Sequence, residues 1–268
     1  DVAPSRGLGD VYKRQILITA GGTSEKIDSV RSITNHSTGS LGKAIAEALL
    51  EKGIEIDYVT TRQAKQPAND SRLTVHSIEG TLGLLNCLES LLSAHTYFAV
   101  IHSMAVSDFT PANSWSQEAF LTAINQLLPQ FDNQVSPELL ETLVAQSMEQ
   151  SGKLSSNTDH LVMVLKKTPK VIQRIKAKQP QTKLVGFKLL VDVSEETLFQ
   201  VARDSLAKNQ ADYVLANDLT TIKEDQHIGH LLTADKKSGT GHTKPEIAAL
   251  IVDCLLYTSP SPRDGATS

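Results

Sequence analysis

The sequence predicts an α/β protein: a Rossmann-like parallel sheet flanked by helices, with an inserted polar helical segment. Three observations favour this fold. Short apolar runs alternate with segments of helical periodicity along most of the 268 residues. A Gly-Gly pair directly follows the first apolar run, where such a sheet needs a tight turn. Between residues 111 and 152 the alternation gives way to polar, Gln-rich sequence, which predicts an insertion.

The individual elements follow from apolar periodicity and from the residues that end each run. A helix begins near Leu41 and ends at Gly53, a residue type typical of helix C-termini. The predicted strands cover residues 16–19, 54–60, 73–78, 98–102, 162–165, 184–187 and 213–216, with a hairpin-like region at 229–233. The predicted helices cover residues 41–52, 82–92, 137–148, 169–177, 194–208 and 245–254. No strand is predicted within the insertion.

A single domain is predicted over residues 16–253, with the insertion at about 111–152. Residues 1–15 and 254–268 show no hydrophobic period, and the second of these stretches ends in Ser, Pro and Gly. Both resemble translated adapter sequence, so we expect them to be non-native ends that take no part in the fold.

Composition narrows the class of ligand. The chain has 26 Lys plus Arg against 30 Asp plus Glu, a formal net charge of −4, and it has no block rich in Lys and Arg. A nucleic acid or an anionic membrane surface is therefore not the expected partner. No apolar run approaches the roughly 20 residues of a membrane helix, and two cysteines are too few for a disulfide framework. We expect a cytoplasmic protein that binds small molecules.

Two loops have the composition of anion-binding turns. Residues 19–25 place two glycines after the first strand, where backbone N–H groups can point at a phosphate, although an ordinary strand-to-helix turn has the same composition. Residues 34–42 place small hydroxyl residues and two glycines before a helix, whose N-terminus favours a negative group. Two such turns predict two anionic ligands, or one long one.

Several common enzyme patterns are absent. The chain has no G-x-G-x-x-G after the first strand, no complete Walker motif and no G-x-S-x-G elbow. No Tyr is followed four positions later by Lys, which weakens an NAD(P)-dependent reductase but leaves it as the alternative. His227 and His230 have a spacing that suits a metal, yet no third ligand is evident, so no metal site is predicted.

Four side chains are candidates for chemistry. The amide of Asn35 can donate to a carboxylate or acyl oxygen, unless this loop merely caps a helix. Asp108 follows a strand and can accept hydrogen bonds from a base or ribose, or cap its own loop. Lys153 lies among small residues and can reach a phosphate, or it is a solvated lysine. Phe187 offers an aromatic face for a base, or it belongs to the core.

Taken in order, these segments resemble phosphopantothenoylcysteine synthetases of the stand-alone bacterial type, over about residues 16–253. The segments that carry the resemblance are AGGTSE (20–25), ITNHSTG (33–39), MAVSDF (104–109), GKLSS (152–156), VGF (185–187) and AND (216–218). Each segment alone is a weak signal, whereas the ordered set is specific.

The resemblance implies a role in coenzyme A biosynthesis, the ligation of 4'-phosphopantothenate with L-cysteine. It further implies CTP, or ATP, as the driving nucleotide, with Mg²⁺ bridging its phosphates and an acyl-nucleotidylate as intermediate. A homodimer is also implied, and the insertion is our candidate for the subunit contact. No nucleic acid and no membrane is expected as a partner.

Site residues follow from the glycine turn together with the resemblance. The catalytic residues are expected to be Asn35 and Lys153. The expected nucleotide-binding residues are Gly21, Gly22, Thr23, Ser103, Met104, Ala105, Asp108, Pro169, Lys170, Val171, Ile172 and Phe187. The expected substrate-binding residues are Asn35, Ser37, Thr38 and Gly39. Related sequences often carry lysines at the positions of Ser40, Ser205 and Asn209, so phosphate contacts from these positions are in doubt, and Lys208 lies beside the last of them.

Overall fold

The computed structural model describes residues 14–146, 157–223 and 226–257. In chain order the strands are β1 (Gln15–Ala20), β2 (Ser24–Lys26), β3 (Ser32–Thr34), β4 (Glu55–Thr60), β5 (Leu73–Ser77), β6 (Ala99–His102), β7 (Phe109–Ser116), β8 (Leu161–Lys167), β9 (Lys183–Leu190), β10 (Tyr213–Asp218), β11 (Gly229–Leu232) and β12 (Lys237–Gly241). The helices are α1 (Ser40–Glu51), α2 (Gly80–Ala94), α3 (Gln117–Leu127), α4 (Pro137–Ala145), α5 (Val171–Lys178), α6 (Glu195–Asn209) and α7 (Lys244–Tyr257). Outside the insertion, the predicted elements are confirmed with boundaries that differ by a few residues.

The main sheet has eight strands in the order β12-β11-β10-β9-β6-β1-β4-β5. The six strands from β10 to β5 are parallel to their neighbours, whereas β11 and β12 add an antiparallel hairpin at one edge. The predicted parallel sheet is therefore confirmed, with the hairpin near residue 229 as its antiparallel extension.

Side chains of β1 alternate between two buried layers because successive residues of a strand point to opposite faces. Ile16 and Ile18 are fully buried against α1, with Ile45 and Leu49 in the same cluster. Leu17 faces the opposite layer, which contains Leu88 of α2. Burial of each such side chain contributes about 1.5 to 3 kcal/mol. β1 is thereby fixed at the centre of the molecule, and its following loop is held at one edge of the sheet.

The helices cover both faces of the main sheet. α1 and α7 pack together on one face, and α2, α5 and α6 cover the other. α7 continues past the predicted domain end at residue 253, because Leu255 and Leu256 are buried in the cluster beneath α1.

The insertion differs from its prediction. It contains a strand, β7, which pairs with β8 in a separate two-stranded antiparallel sheet. The strand over 162–165 therefore exists but lies outside the main sheet. Proline cannot donate a ladder hydrogen bond, and a register shift between Pro111 and Asn113 accommodates it in β7. We call residues 109–146 and 157–167 the protruding module.

The protruding module has a small core of its own. Trp115 of β7 is buried with Leu127, Leu139 and Leu143, which come from the α3 and α4 region. The predicted helical character of the insertion is confirmed by α3 and α4, and the prediction that it lacks strands is wrong.

Candidate active site

The loops after β1, β6, β9 and β10 open at one edge of the main sheet, where the parallel strands have their carboxyl ends. Ligands of open α/β sheets bind at this edge. Two adjoining cavities lie there, with volumes of about 490 and about 700 Å³. We call them the first cavity and the second cavity. Each has the volume of a typical small-molecule site.

The first cavity lies between the loop after β6 and the start of α5. Thr168 ties the two together, since its backbone N–H donates to the carbonyl of Asp108 at 3.0 Å and its hydroxyl donates to the carbonyl of Ser107. At the mouth, the Lys170 ammonium forms an ion pair with the Asp108 carboxylate. Both side chains are more than half exposed, so they remain accessible to a ligand. The cavity thus offers a carboxylate acceptor directly beside a cation.

Most of the predicted nucleotide-binding residues line the first cavity. They are Met104, Ala105, Asp108, Pro169, Lys170, Val171, Ile172 and Phe187. His102 also lines it, with Nδ1 at 2.8 Å from Thr19 Oγ1. Burial lowers the pKa of His102 to about 4, so this ring is neutral at pH 7. The positive charge that the described residues bring to this cavity therefore comes from its lysines.

Further lysines reach the first cavity from other elements. Lys188 of β9 and Lys208 of α6 both line it, as do Ser205 and Asn209. The Asn209 amide donates to the carbonyl and the hydroxyl of Ser205, at 3.0 and 3.1 Å. Ser205 and Asn209, two of the three positions where the resemblance implies lysine, are thus occupied by side chains bonded to each other, and Lys208 is the cation that α6 presents here.

The second cavity is built around the loop that leads into α1. The residues predicted to bind the substrate all line it; they are Asn35, Ser37, Thr38 and Gly39. Gly39, the N-cap of α1, has a φ of +74°, a left-handed conformation that favours glycine, and it has no side chain to cap the helix. The Ser40 N–H donates to Thr38 Oγ1 at 3.4 Å, and the first intrahelical bond is the one from Lys43 to the carbonyl of Gly39. The N–H groups of Leu41 and Gly42 are therefore available to a negatively charged ligand.

Hydrogen bonds from its side-chain amide and its backbone hold Asn35 in place. Its Nδ2 donates to the carbonyl of Ala105 at 3.2 Å and to Ser107 Oγ at 3.1 Å. Its backbone N–H donates to the carbonyl of Thr23 at 3.2 Å. These bonds fix Asn35 against the loop after β6, between the two cavities. Both amide hydrogens are engaged with the protein, which differs from the expected donation to a ligand.

The glycine turn after β1 packs against the loop after β6 and against the Asn35 loop. Gly21, Gly22 and Thr23 are buried and line neither cavity. The Thr23 N–H donates to the carbonyl of Ala105 at 3.0 Å, and the Ala105 N–H donates to the carbonyl of Gly21 at 2.9 Å. A Cβ on Gly22 would lie 2.4 Å from the carbonyl oxygen of Asn35. Their backbone groups thus support the Asn35 loop, and their binding of the nucleotide stays a prediction.

Ser103, another predicted nucleotide-binding residue, is separated from most of the others. It lines the second cavity and not the first, and its hydroxyl donates to the carbonyl of Thr19 at 2.7 Å. Four residues line both cavities and form the boundary between them; they are Met104, Ala105, Phe187 and Leu189. We call these four residues the shared wall. Phe187 thus belongs to both cavities.

The far part of the second cavity is formed by the loop after β10 and the start of α7. Asn217, His227 and Lys244 line it. The neighbouring Asp218 accepts bonds from the backbone N–H groups of Val193 and Thr220, at 2.9 and 2.8 Å. These bonds, together with the Thr220 hydroxyl, hold the pKa of Asp218 well below its usual range. Asp218 therefore fixes the loops, while Asn217 faces the cavity.

The two histidines that suggested a metal have different surroundings. His230 Nδ1 lies 2.9 Å from Thr240 Oγ1, and its ring packs on Phe199, away from both cavities. Within the part of the chain that the structure describes, no three His, Cys, Asp or Glu side chains are grouped closely enough to hold a metal ion.

No helix among the described residues is long and apolar enough to cross a membrane.

One predicted catalytic residue is not placed. Lys153 lies outside the described residues, so its role stays a prediction. Sequence reasoning also missed two lysines that line the cavities, Lys188 and Lys244. Lys188 directly follows Phe187 at the end of a predicted strand, and Lys244 directly precedes the predicted last helix. A lysine at the end of a strand or at the start of a helix is the sequence feature that could have identified both residues.

Comparison with known proteins identifies the family. A family model described as the DNA/pantothenate metabolism flavoprotein C-terminal domain matches residues 11–150 and 143–257. The chain belongs to this family. Members named coenzyme A biosynthesis bifunctional protein CoaBC are 31% identical over 241 residues in Thermococcus kodakarensis and 27% identical over 251 residues in Methanocaldococcus jannaschii. These matches cover 90% and 92% of this chain, which spans about half the length of the two curated relatives.

Solved structures of the family share the fold. The DNA/pantothenate metabolism flavoprotein from Streptococcus pneumoniae is 42% identical, with a TM-score of 0.78, and the match covers 90% of this chain and 98% of that one. The C-terminal domain of a coenzyme A biosynthesis bifunctional protein CoaBC is 23% identical, with a TM-score of 0.61 over 91% of this chain and 94% of that one. The Rossmann-like arrangement is thus the architecture of this family.

Proposed function

We propose that the protein ligates 4'-phosphopantothenate with L-cysteine, driven by a nucleoside triphosphate, to form 4'-phosphopantothenoylcysteine. The relatives of this family act in coenzyme A biosynthesis according to their names. A Cab2 mutant solved in complex with phosphopantothenate-cysteine has the same fold, at 18% identity and a TM-score of 0.61. CTP is the proposed nucleotide, with ATP as the alternative.

The observation that carries this proposal is the shared wall. A ligase that activates an acid must hold a nucleotide and the acid in separate sites, with the carboxylate beside the α-phosphate. The first cavity suits the nucleotide because Asp108 can accept from a base while Lys170, Lys188 and Lys208 offer positive charge to phosphates. The second cavity suits the phosphorylated acid because the first turn of α1, with its backbone N–H groups, lines it. The two ligands would meet at the shared wall.

In the proposed first step, a carboxylate oxygen of phosphopantothenate attacks the α-phosphorus. The new O–P bond forms as the bond between that phosphorus and the bridging oxygen breaks, and pyrophosphate leaves. The phosphates of the nucleotide, and not a carboxylate cluster of the described residues, would hold Mg²⁺, which would neutralise part of their charge. The lysines of the first cavity stabilise the charge that remains on the leaving group.

In the proposed second step, the cysteine amine attacks the acyl carbon. The C–N bond forms, the nucleoside monophosphate leaves with the electrons of the C–O bond, and the amine loses a proton to solvent. Asn35 contacts the acyl group from its position between the cavities. For that contact, Nδ2 exchanges one of its two internal acceptors, Ala105 O or Ser107 Oγ, for the acyl oxygen.

We further propose a cytoplasmic homodimer in which the protruding module makes the subunit contact. Phe109, Leu121 and Leu140 of this module are 48%, 50% and 42% exposed, so a subunit contact there would cover apolar surface. Sedimentation of the full chain should give twice the chain mass. A monomer at assay concentration would refute this assignment without affecting the ligase proposal.

The test of the ligase uses the full chain with Mg²⁺, phosphopantothenate, cysteine and either CTP or ATP. We expect pyrophosphate release with CTP and formation of the amide product only when cysteine is present. Nucleotide binding without pyrophosphate release from either nucleotide would show a binding module and not a ligase. Competition between CTP and ATP determines the preference.

Asn35→Asp tests the assignment of the site. The new carboxylate would face the incoming acid and would also set an oxygen against the carbonyl of Ala105, now 3.2 Å from Nδ2. We expect a large loss of the rate of pyrophosphate release. Asn69→Asp is the charge-matched control, since Asn69 is exposed and lines neither cavity. A normal rate in Asn35→Asp would remove Asn35 from the mechanism.

A further inference from the structure

His227 is a buried side chain with an unused hydrogen-bonding atom. Only 6% of the residue is exposed, and it lines the second cavity. Its Nδ1 is the one buried side-chain N or O atom without a hydrogen-bond partner among the described residues. Its backbone N–H donates to the carbonyl of His242 at 2.9 Å, so the residue is held in place from the main chain. A buried polar atom without a partner is destabilising, and it therefore points to a missing ligand.

Asn217 determines which ring nitrogen carries the proton. Its Nδ2 lies 3.3 Å from His227 Nε2. An amide nitrogen can only donate, so Nε2 accepts, and the neutral ring carries its proton on Nδ1. Burial, with a smaller contribution from the charge of Lys244, lowers the pKa of His227 and keeps the ring neutral at pH 7. The unused atom is thus an N–H donor.

Lys244 adds a charge to the same region. It begins α7 and lines the second cavity together with His227 and Asn217. His227 and Lys244 both line this cavity, and an N–H donor close to an ammonium suits an oxygen that carries negative charge. A neutral carbonyl or hydroxyl would use only the first of these two groups.

We propose that His227 Nδ1–H and Lys244 form a binding subsite for an anionic oxygen of a substrate in the second cavity. This inference deepens the proposed function and names two possible sources of the oxygen. One is the phosphate or carboxylate of phosphopantothenate, and the other is the carboxylate of L-cysteine. His227 is a binding residue here and takes no proton.

Steady-state kinetics of His227→Phe test the subsite. The change keeps an aromatic ring but removes the donor. We expect the KM of one of the two substrates to rise roughly 10- to 100-fold, the range for loss of a hydrogen bond to a charged group. The KM of CTP should stay unchanged, and kcat should stay within a few-fold of wild type. Lys244→Ala should raise the KM of the same substrate.

Two further variants separate binding from folding. His227→Asn places an amide N–H near the position of Nδ1, so it should recover part of the lost affinity. His230→Asn is the matched control, because His230 lies three residues away and outside both cavities. It should leave every KM unchanged. Unchanged KM values for both substrates in folded His227→Phe, or equal losses in His227→Asn and His227→Phe, would overturn the proposal.

A spectroscopic measurement tests the subsite without relying on ligase activity. In protein labelled with ¹⁵N in its histidines, the ring signals of His227 should show the tautomer protonated at Nδ1. Titration with inorganic phosphate or with acetate should shift the Nδ1 signal in the wild type and less so in Lys244→Ala. A proton on Nε2, or no shift with either anion, would refute the subsite even if the protein is a ligase. A shift in a protein without ligase activity would retain the subsite and refute the proposed function alone.

Discussion

Replacement of Gly22 by Ala would disturb the candidate active site through a single added methyl group. The new Cβ would lie 2.4 Å from the carbonyl oxygen of Asn35 and 3.2 Å from its Cβ. Ordinary contact begins near 3.4 Å, so the Asn35 backbone has to retreat by about 1 Å. Gly22 has no positive φ, so the effect comes from space and not from backbone conformation.

The retreat strains the bonds that hold Asn35. Its Nδ2 bonds of 3.2 and 3.1 Å and its backbone bond of 3.2 Å to Thr23 have no slack for such a movement. Overpacking of this size lowers the free energy of unfolding by roughly 1 to 3 kcal/mol. Misplacement of a reacting group by about 1 Å reduces the rate about 100-fold. We therefore expect Gly22→Ala to lose far more activity than stability.

The assay combines pyrophosphate release with urea unfolding followed by circular dichroism. Gly83→Ala is the matched control, since a Cβ there meets only Ile78 at 3.9 Å. Gly83 lies inside α2, so alanine should stabilise the protein by roughly 0.5 to 1 kcal/mol without loss of activity. A Gly22→Ala protein with wild-type rate and stability would show that the Asn35 loop is not held as described.

Three further predictions concern other parts of the molecule. Tyr97→Phe removes the 2.7 Å bond from the tyrosine hydroxyl to the buried Asp57 carboxylate; urea unfolding should show a loss of roughly 1.5 to 3 kcal/mol, and no loss would contradict the bond. The low pKa of Asp218 stabilises the fold above the ordinary value of 3.8, and this contribution is lost as pH falls toward the lower folded-state pKa. The unfolding midpoint of Asp218→Asn should therefore lie below wild type at pH 7, and the gap should narrow steadily as pH falls below 3.8 toward the folded-state pKa; a gap that stays constant over this range would refute the assignment. Asp108→Ala should raise the KM of CTP roughly 10- to 100-fold and leave the KM of cysteine unchanged, whereas an unchanged KM of CTP would show that Asp108 does not bind the base.

Local periodicity was sufficient to predict most of the fold. The runs at 16–19 and 184–187 are strands because their apolar side chains fill both layers around the sheet. The pairing of β7 with β8 was not predictable in this way, since their residues are far apart in sequence. A proline such as Pro111 normally argues against a strand, and the local pattern does not show the bulge that accommodates it. Strand partners depend on tertiary packing, which the local pattern does not contain.

The candidate site was predictable in part for a similar reason. Asp108 lies in the loop after β6 and Phe187 lies in β9, and the carboxyl edge of the sheet places both of them at the first cavity. Gly22 has the same local signature as a phosphate-binding glycine, yet its neighbours in space are the Asn35 backbone and side chain. Composition shows that a glycine permits close approach and does not show what approaches it. The donor on His227 depends on Asn217, a partner whose orientation only the structure specifies.

The protruding module contains Trp115, the only tryptophan in the chain. Its indole therefore reports the environment of a small local core and is insensitive to the order of the eight-stranded sheet. Fluorescence and circular dichroism would follow two different melting events if the module loosens before the sheet. In that case, native-state hydrogen exchange would show early opening of amides in β7 and β8, while those of β1 and β6 stay protected until global unfolding.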